Sequence, residues 1–271
     1  MGVTIAQTAV VDPRAQLGKN VRIGHFCVIG PDVVLGDETL IEDHVVISGN
    51  TTIGCHNHIF PGSVIGSHPQ DVSYKNTPTR VVIGDSNVFR EYCTVNRASE
   101  KEEGITRVGS NNFFMTNTHI AHDCKVGDRI VIANNGMLGG HSRIGDDVTI
   151  AGGCGIVHFG TVGKLSFIGA MTTVTQDVPP YTIVDGKPAR PRAVNVIGLR
   201  RHGYVDDDIR VLTKAFKLLY RSRVGVEAAR QQLFSVGPIR PVLVHLFECL
   251  EYSATGRYGR GQDKKGARKA A

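Results

Sequence analysis

The chain contains no tryptophan, and its aromatic residues amount to only 6% of 271 positions. A core filled by large rings is therefore excluded. No apolar run approaches the roughly 18 residues of a bilayer span, so no integral membrane segment is expected. The N-terminal MGVTIAQTAV lacks a basic region followed by an apolar core, and no secretory signal is visible. The six cysteines form no CxxC pair. Free thiols, a reducing compartment and a cytoplasmic location are the expectation. Helix-turn-helix, zinc-finger and RNP-like motifs are absent, which argues against a nucleic-acid partner. Glycine is the opposite case: 32 residues, about 12% against a usual level of about 7%. It does not recur at every third position, so collagen is excluded.

Charge divides the chain in two. Residues 1–190 hold 15 Lys+Arg against 18 Asp+Glu, whereas residues 191–271 hold 16 against 7. A shift from −3 to +9 predicts a domain boundary near Pro188–Pro191 and a basic C-terminal part.

The first part carries a repeat of six. Steps of six from Ile5 meet eleven aliphatic residues in succession, ending at Ile65. The register resumes at Ile83, Phe89 and Val95, breaks again, and then runs through twelve apolar positions from Val108 to Val174. Neither helix nor hairpin periodicity yields this pattern; a hexapeptide β-helix does. Three hexads close one triangular coil, and 26 hexads predict a prism of about 40 Å. The repeated residue i points inward, and so does i+4, which must be small. Cys27, Cys93, Cys124 and Cys154 all occupy i+4 and are expected to fill core space rather than to react. Thirteen of the 24 glycines in residues 1–190 stand at i+1, where backbone freedom is expected to let the chain turn the corner.

The domain reading is thus a β-helix over 1–190, an α-helical domain over 191–256, and a basic, disordered tail over 257–271. Loops at 67–82 and 98–107 interrupt the repeat, and loops ejected from a solenoid commonly carry function. In the second domain, Asp206–Asp208 can cap a helix carrying Ile209, Leu212 and Phe216. Further helices are expected at about 226–235 and after Pro241.

Eighteen residues make a coil, so His122, Gly140 and His158 stack in one column. His141 adjoins Gly140, and His119 lies three residues before His122. His119, His122 and His141 are therefore expected on one patch. Two chemistries suit it. Three histidines from neighbouring coils can hold zinc, as in β-helical carbonic anhydrases. Alternatively, His122 followed by Asp123 forms an imidazole–carboxylate pair suited to general-base catalysis.

The segments NTHIAHDC at Asn117–Cys124 and ANNGMLGGH at Ala133–His141 resemble the acyl-ACP:UDP-N-acetylglucosamine O-acyltransferases of lipid A biosynthesis. So do QDVPPY at Gln176–Tyr181, VNVIGLRRHGY at Val194–Tyr204 and KAFKLLYRS at Lys214–Ser222. The resemblance covers about residues 1–250. It implies a left-handed parallel β-helix followed by a helical domain, assembled as a homotrimer with active sites between subunits. It also implies transfer of an (R)-3-hydroxyacyl group from acyl carrier protein, an acidic partner, to the 3-hydroxyl of UDP-N-acetylglucosamine. By the same resemblance His122 is the base, Asp123 orients it, and the Gly140 N–H receives the oxyanion. Gln70, Asp71, His119, His141, Asn195 and Arg201 match substrate-binding positions, and Ala170 matches the position that limits acyl length. No metal and no cofactor are implied.

Several positions depart from the family pattern; in VHFG at Val157–Gly160 the glutamine usual after the histidine is missing, and an extra residue stands near Gly145. Ser73, Asn96, Ile197 and His202 stand where lysine, histidine, glutamate and arginine are usual, and Lys75 is near enough to replace the lysine. These changes leave an amino sugar open as acceptor. The related N-acyltransferase usually carries an N-terminal uridine-binding domain, and hexads that begin at Ile5 argue against it. A non-catalytic scaffold is the remaining alternative.

Overall fold

The computed structural model describes residues 2–264. Residues 4–174 wind into a left-handed parallel β-helix of three faces. Each hexad contributes a short strand at i+5 and i, and each strand pairs in parallel with the one a coil further on. Thr4–Ile5 lies against Arg22–Ile23, and His119–Ile120 against Met137–Leu138. The first face has eleven strands, the second nine and the third eight. The i and i+4 side chains from all three faces meet in one core. A fully buried Ile or Val contributes about 1.5–3 kcal/mol, so the repeat itself is the main source of stability.

The four i+4 cysteines are buried as expected. The thiols of Cys27, Cys124 and Cys154 donate to backbone carbonyls. Burial pushes the Cys93 and Cys124 thiols up to about 12, which leaves them inert. Three i+4 positions instead hold Asn57, Asn87 and Asn112, all buried. Their amides form a ladder: Asn87 Nδ2 donates to Asn57 Oδ1 at 3.0 Å, and the Asn112 N–H donates to Asn87 Oδ1 at 3.0 Å.

The glycines at i+1 have a different cause from the one expected. Apart from Gly66, they avoid the left-handed region; that region is occupied at i+3 by residues such as Asn20, His44, Asp123, His141 and Phe159. What the i+1 glycines permit is close approach. A Cβ at Gly36 would lie 2.5 Å from the carbonyl carbon of Gly54, and one at Gly18 would lie 2.5 Å from Asp37 Oδ1. These aspartates also bind across coils: Asp37 accepts from the Lys19 N–H and Asp128 from the Ser110 N–H.

The two interruptions are shorter than expected. Arg80–Ile83 and Ile105–Val108 are strands of the third face, so the loops span 68–79 and 97–104. Both leave from the second face and return on the third, and so emerge at one edge of the prism.

Beyond the prism, Thr182–Gly186 and Ala189–Val194 form an antiparallel hairpin that ends the first face. Among the described residues four α-helices follow: α1 (Val196–Arg201), α2 (Asp206–Phe216), which runs on into a π-helical turn at Lys217–Arg221, α3 (Val226–Phe234) and α4 (Pro241–Thr255). They enclose a second core around Leu199, Leu212, Leu246 and Phe247. Asp206–Asp208 do not cap α2; the N-cap is Val205, with no side-chain bond, and the aspartates fill the first turn. There the positive end of the helix dipole favours their charge, and Asp208 pairs with Arg240 at 2.7 Å.

The expected disorder from residue 257 is corrected for 257–264. Gly256–Arg257 and Arg260–Lys264 form a hairpin. It is anchored on Asp177, whose carboxylate accepts from the Thr161 and Gly261 N–H groups and the Ser253 hydroxyl. Residues 265–271 of that tail lie outside the described residues. Among the described residues, no helix is long and apolar enough to cross a membrane.

The close-approach account predicts that Gly36→Ala lowers stability by about 1–3 kcal/mol. Asn20→Gly, at a left-handed position, should cost less. Chemical denaturation of both variants checks the contrast, and equal costs would contradict it.

Candidate active site

The edge between the second and third faces collects most of the expected residues. Successive coils bring there the loops 68–79 and 97–104, then His122–Asp123, then Gly140–His141, then His158–Phe159. The repeat places them so: His122, Gly140 and His158 are i+2 residues, whereas Asp123, His141 and Phe159 are left-handed i+3 residues. The sharp turn at i+3 aims the Asp123 carboxylate back along its own coil, toward the preceding side chain.

His122 Nδ1 lies 2.8 Å from Asp123 Oδ2. The His122 side chain is 13% exposed and that of Asp123 only 1%. The same carboxylate oxygen accepts from the Ser99 N–H at 3.0 Å and the Ser99 hydroxyl at 2.7 Å. The Asp123 N–H donates to Thr106 Oγ1. Burial pushes the Asp123 carboxyl up, but the bonds from His122 and Ser99 outweigh it and hold the group below the ordinary carboxylate range. A fixed carboxylate at Nδ1 presents His122 Nε2 as the free, basic nitrogen.

Gly140 lies directly against this imidazole. A Cβ there would be 2.7 Å from both Cε1 and Nε2 of His122, so the position admits no side chain while the ring stays in place. Among the described residues, no group accepts the Gly140 N–H.

His141 is more deeply placed than a turn position suggests. It is 4% exposed, stacks on Phe159 at 4.4 Å and meets the His122 ring edge-on at 5.3 Å. Its Nδ1 is 2.9 Å from Glu102 Oε1. His119 stands apart on the second face, with Nδ1 2.7 Å from Thr94 Oγ1. Burial, aided by His122, lowers its proton affinity.

The three histidines therefore do not gather as a ligand set. The compact group is His122, Asp123 and His141, whose donor atoms lie within 4.8 Å of one another. Its shared oxygen, Asp123 Oδ2, already accepts three hydrogen bonds.

Asp71 in the first loop accepts from the Ser73 N–H and hydroxyl, and pairs with Lys101 Nζ at 2.8 Å. Burial opposes its ionisation, but Lys101 and Ser73 hold its carboxyl well below the usual range. The cation paired with Asp71 is thus Lys101 of the second loop. Gln70 is exposed beside Asp71. Asn96 is buried, and its amide donates to the His68 carbonyl at 2.7 Å, joining the roots of the two loops.

The remaining expected residues lie elsewhere in the chain. Ala170 is an exposed turn residue at the edge between the first and second faces. The Asn195 side chain caps α1, accepting from the Gly198 N–H and donating to the Leu165 carbonyl. Arg201 is exposed at the end of α1. Next to it, His202 reaches Asp147 at 3.3 Å and so ties α1 to the third edge of the prism. Sequence reasoning missed Ser99, Lys101 and Glu102; the only signal for them was their place in a loop that breaks the repeat.

Comparisons with known proteins accord with this arrangement. Residues 14–49 match the bacterial transferase hexapeptide model, and residues 177–259 match the model for domain 2 of UDP-N-acetylglucosamine O-acyltransferase. The chain is 40% identical over 252 residues to the acyl-[acyl-carrier-protein]–UDP-N-acetylglucosamine O-acyltransferase of Thermodesulfovibrio yellowstonii, covering 93% of this chain and 98% of that protein. It is 46% identical over 231 residues to the enzyme of the same name from Albidiferax ferrireducens, covering 85% and 87%. Among solved structures, the UDP-N-acetylglucosamine acyltransferase of Francisella novicida superposes with a TM-score of 0.88 at 35% identity, covering 97% of this chain and 95% of that one. With such identity along nearly its whole length, the chain belongs to the acyl-[acyl-carrier-protein]–UDP-N-acetylglucosamine O-acyltransferase family.

Proposed function

We propose that this protein transfers a 3-hydroxyacyl group from the thioester of acyl carrier protein to the 3-hydroxyl of UDP-N-acetylglucosamine, the first step of lipid A biosynthesis. One observation carries the catalytic part of this reading: a buried His122–Asp123 pair whose imidazole lies against the bare backbone of Gly140.

A sugar hydroxyl is a poor nucleophile, so its proton must leave as the new C–O bond forms. His122 Nε2 takes that proton while the oxygen attacks the thioester carbon. Asp123 holds the opposite nitrogen and stabilises the imidazolium that results. The carbonyl oxygen becomes an oxyanion, and the uncommitted Gly140 N–H suits it as a donor. Collapse of the tetrahedral species breaks the C–S bond, and His122 returns the proton to the departing thiolate. Asp71 and Gln70, on a loop at the same edge, are the acceptor-binding groups of this proposal.

The other expected residues favour a homotrimer. Ala170, and Asn195 with Arg201, sit on the two edges that do not carry His122, so one prism cannot present all of them to one substrate. A second copy can bring its own edge alongside. Val10, Val28 and Met137 project from the second face, and Phe26, Tyr92 and Met171 from its border with the first; all are exposed and apolar, as a surface buried between copies should be. The basic helical domain is the docking site proposed for the acidic carrier protein, and the cytoplasm, where acyl carrier protein is found, is the proposed location. Ser73, Asn96, Ile197 and His202 bear on the acceptor, and a 3-amino sugar is the second reading.

The test is an acyl-transfer assay on the purified full chain, with 3-hydroxyacyl carrier proteins and either UDP-N-acetylglucosamine or its 3-amino analogue. Turnover of the hydroxyl sugar is expected; turnover of the amino sugar alone establishes the second reading, and turnover of neither refutes both. His122→Ala should lower kcat by at least about 100-fold if His122 is the base. Gly140→Ala should leave the fold intact yet lower kcat by about 100-fold, because the methyl displaces the imidazole. Either variant within a few-fold of wild type contradicts the assigned role.

A further inference from the structure

The loop 97–104 does more than leave the prism. Each of four side chains reaches a different partner: Ser99 reaches Asp123, Lys101 reaches Asp71, Glu102 reaches His141, and Glu103 reaches Lys125 at 2.7 Å. The Glu102 contact has the most chemical content. His141 faces a carboxylate at both ring nitrogens. Nδ1 is 2.9 Å from Glu102 Oε1, and Nε2 is 3.7 Å from Asp123 Oδ2. A neutral imidazole carries one N–H; only the imidazolium turns a proton toward both carboxylates.

Glu102, His141, Asp123 and His122 thus form a row of alternating carboxylates and imidazoles that ends at the free Nε2 of His122. The row answers an electrostatic need. A base must be uncharged before it takes a proton, so a neutral His122 leaves Asp123 without a counter-charge from that side. The Asp123 side chain is only 1% exposed, and a buried carboxylate is costly unless a cation lies near. Ser99 supplies two hydrogen bonds but no charge. The His141 ring, facing both Asp123 and Glu102, is the basic group within reach.

We propose that Glu102 is a positioning residue which holds His141 as an imidazolium, and that this cation balances Asp123 while His122 waits as the neutral base. The inference rests on the reading of His122 as the base. The polar groups facing His141 are Glu102 from the loop, Asp123 and His122 from the preceding coil, and His158 from the following coil, where Phe159 stacks on the ring. Only Glu102 engages Nδ1. Without its charge, His141 loses its proton, and Asp123 is then balanced only when His122 or Asp123 itself is protonated. The fraction of competent base falls, while Gln70 and Asp71, the acceptor-binding groups proposed above, have no contact with Glu102 to lose.

The experiment compares Glu102→Gln, Glu102→Ala and Glu102→Asp with wild type. Glutamine can still accept the Nδ1–H but carries no charge. Glu102→Gln and Glu102→Ala are expected to lower kcat alike, by roughly 10-fold, and to move the acceptor KM by less than about twofold. Glu102→Asp should recover part of the loss. Nitrogen-15 NMR of the His141 ring supplies a readout independent of turnover: both nitrogens protonated at neutral pH in wild type, and one unprotonated in Glu102→Gln. Full activity in Glu102→Gln, or a neutral His141 ring in wild type, overturns the proposal. If wild type acylates neither sugar, the functional reading falls instead, and the NMR comparison still decides the state of His141.

Discussion

The distance between coils governs this molecule. Backbone hydrogen bonds draw each coil onto the next at the spacing of strands in a sheet, about 4.8 Å. Everything at the corners must fit beneath that ceiling. Glycine at i+1 removes the Cβ that would strike the coil beyond, and an aspartate from that coil often takes the neighbouring N–H instead. The left-handed turn at i+3 then sends the chain onto the next face. Asparagine, histidine, aspartate and even phenylalanine accept this conformation, because the inter-coil bonds leave the chain no alternative.

The same constraint builds the site. Residues eighteen apart stack without any dedicated device, so His122 and Gly140 meet because they share a phase of the repeat, and His141 stacks on Phe159 for the same reason. The i+3 turn that closes the corner also folds Asp123 back against His122. Here the geometry of the site is a by-product of scaffold geometry. Only the two loops add something the repeat does not supply, and the second uses Ser99 and Glu102 to reach Asp123 and His141, two buried polar side chains of the site.

This division explains what could be read from the sequence. The period, the inward positions, the buried cysteines and the meeting of His122 with Gly140 all follow from counting in sixes and eighteens. The Lys101–Asp71 and Glu102–His141 pairs do not, because loop residues have no phase to count. The asparagine ladder was also hidden: Asn57 is a polar residue at a core position, and it becomes acceptable only when Asn87 stacks upon it. The glycines were located correctly and explained wrongly, since crowding from the next coil is invisible in a single strand of text. The 256–264 hairpin escaped because its anchor, Asp177, is some eighty residues away along the chain.

The edge loops have one more consequence. Arg80–Ile83 pairs with strands that begin thirty residues earlier and twenty-five later, yet from Arg107 to Val174 the pairing returns to a step of eighteen. A corner that opens outward can therefore absorb any number of residues and still hand the chain back in phase. A hexad gained or lost within the prism would be a different event. It would preserve the pattern of inward residues and corner glycines, but rotate all that follows by a third of a turn. An insertion between Asp123 and Gly140 would leave a folded protein with His122 on one edge and Gly140 on another. Lineages of this fold are thus free to lengthen at the corners, while along the faces length is quantised in whole turns.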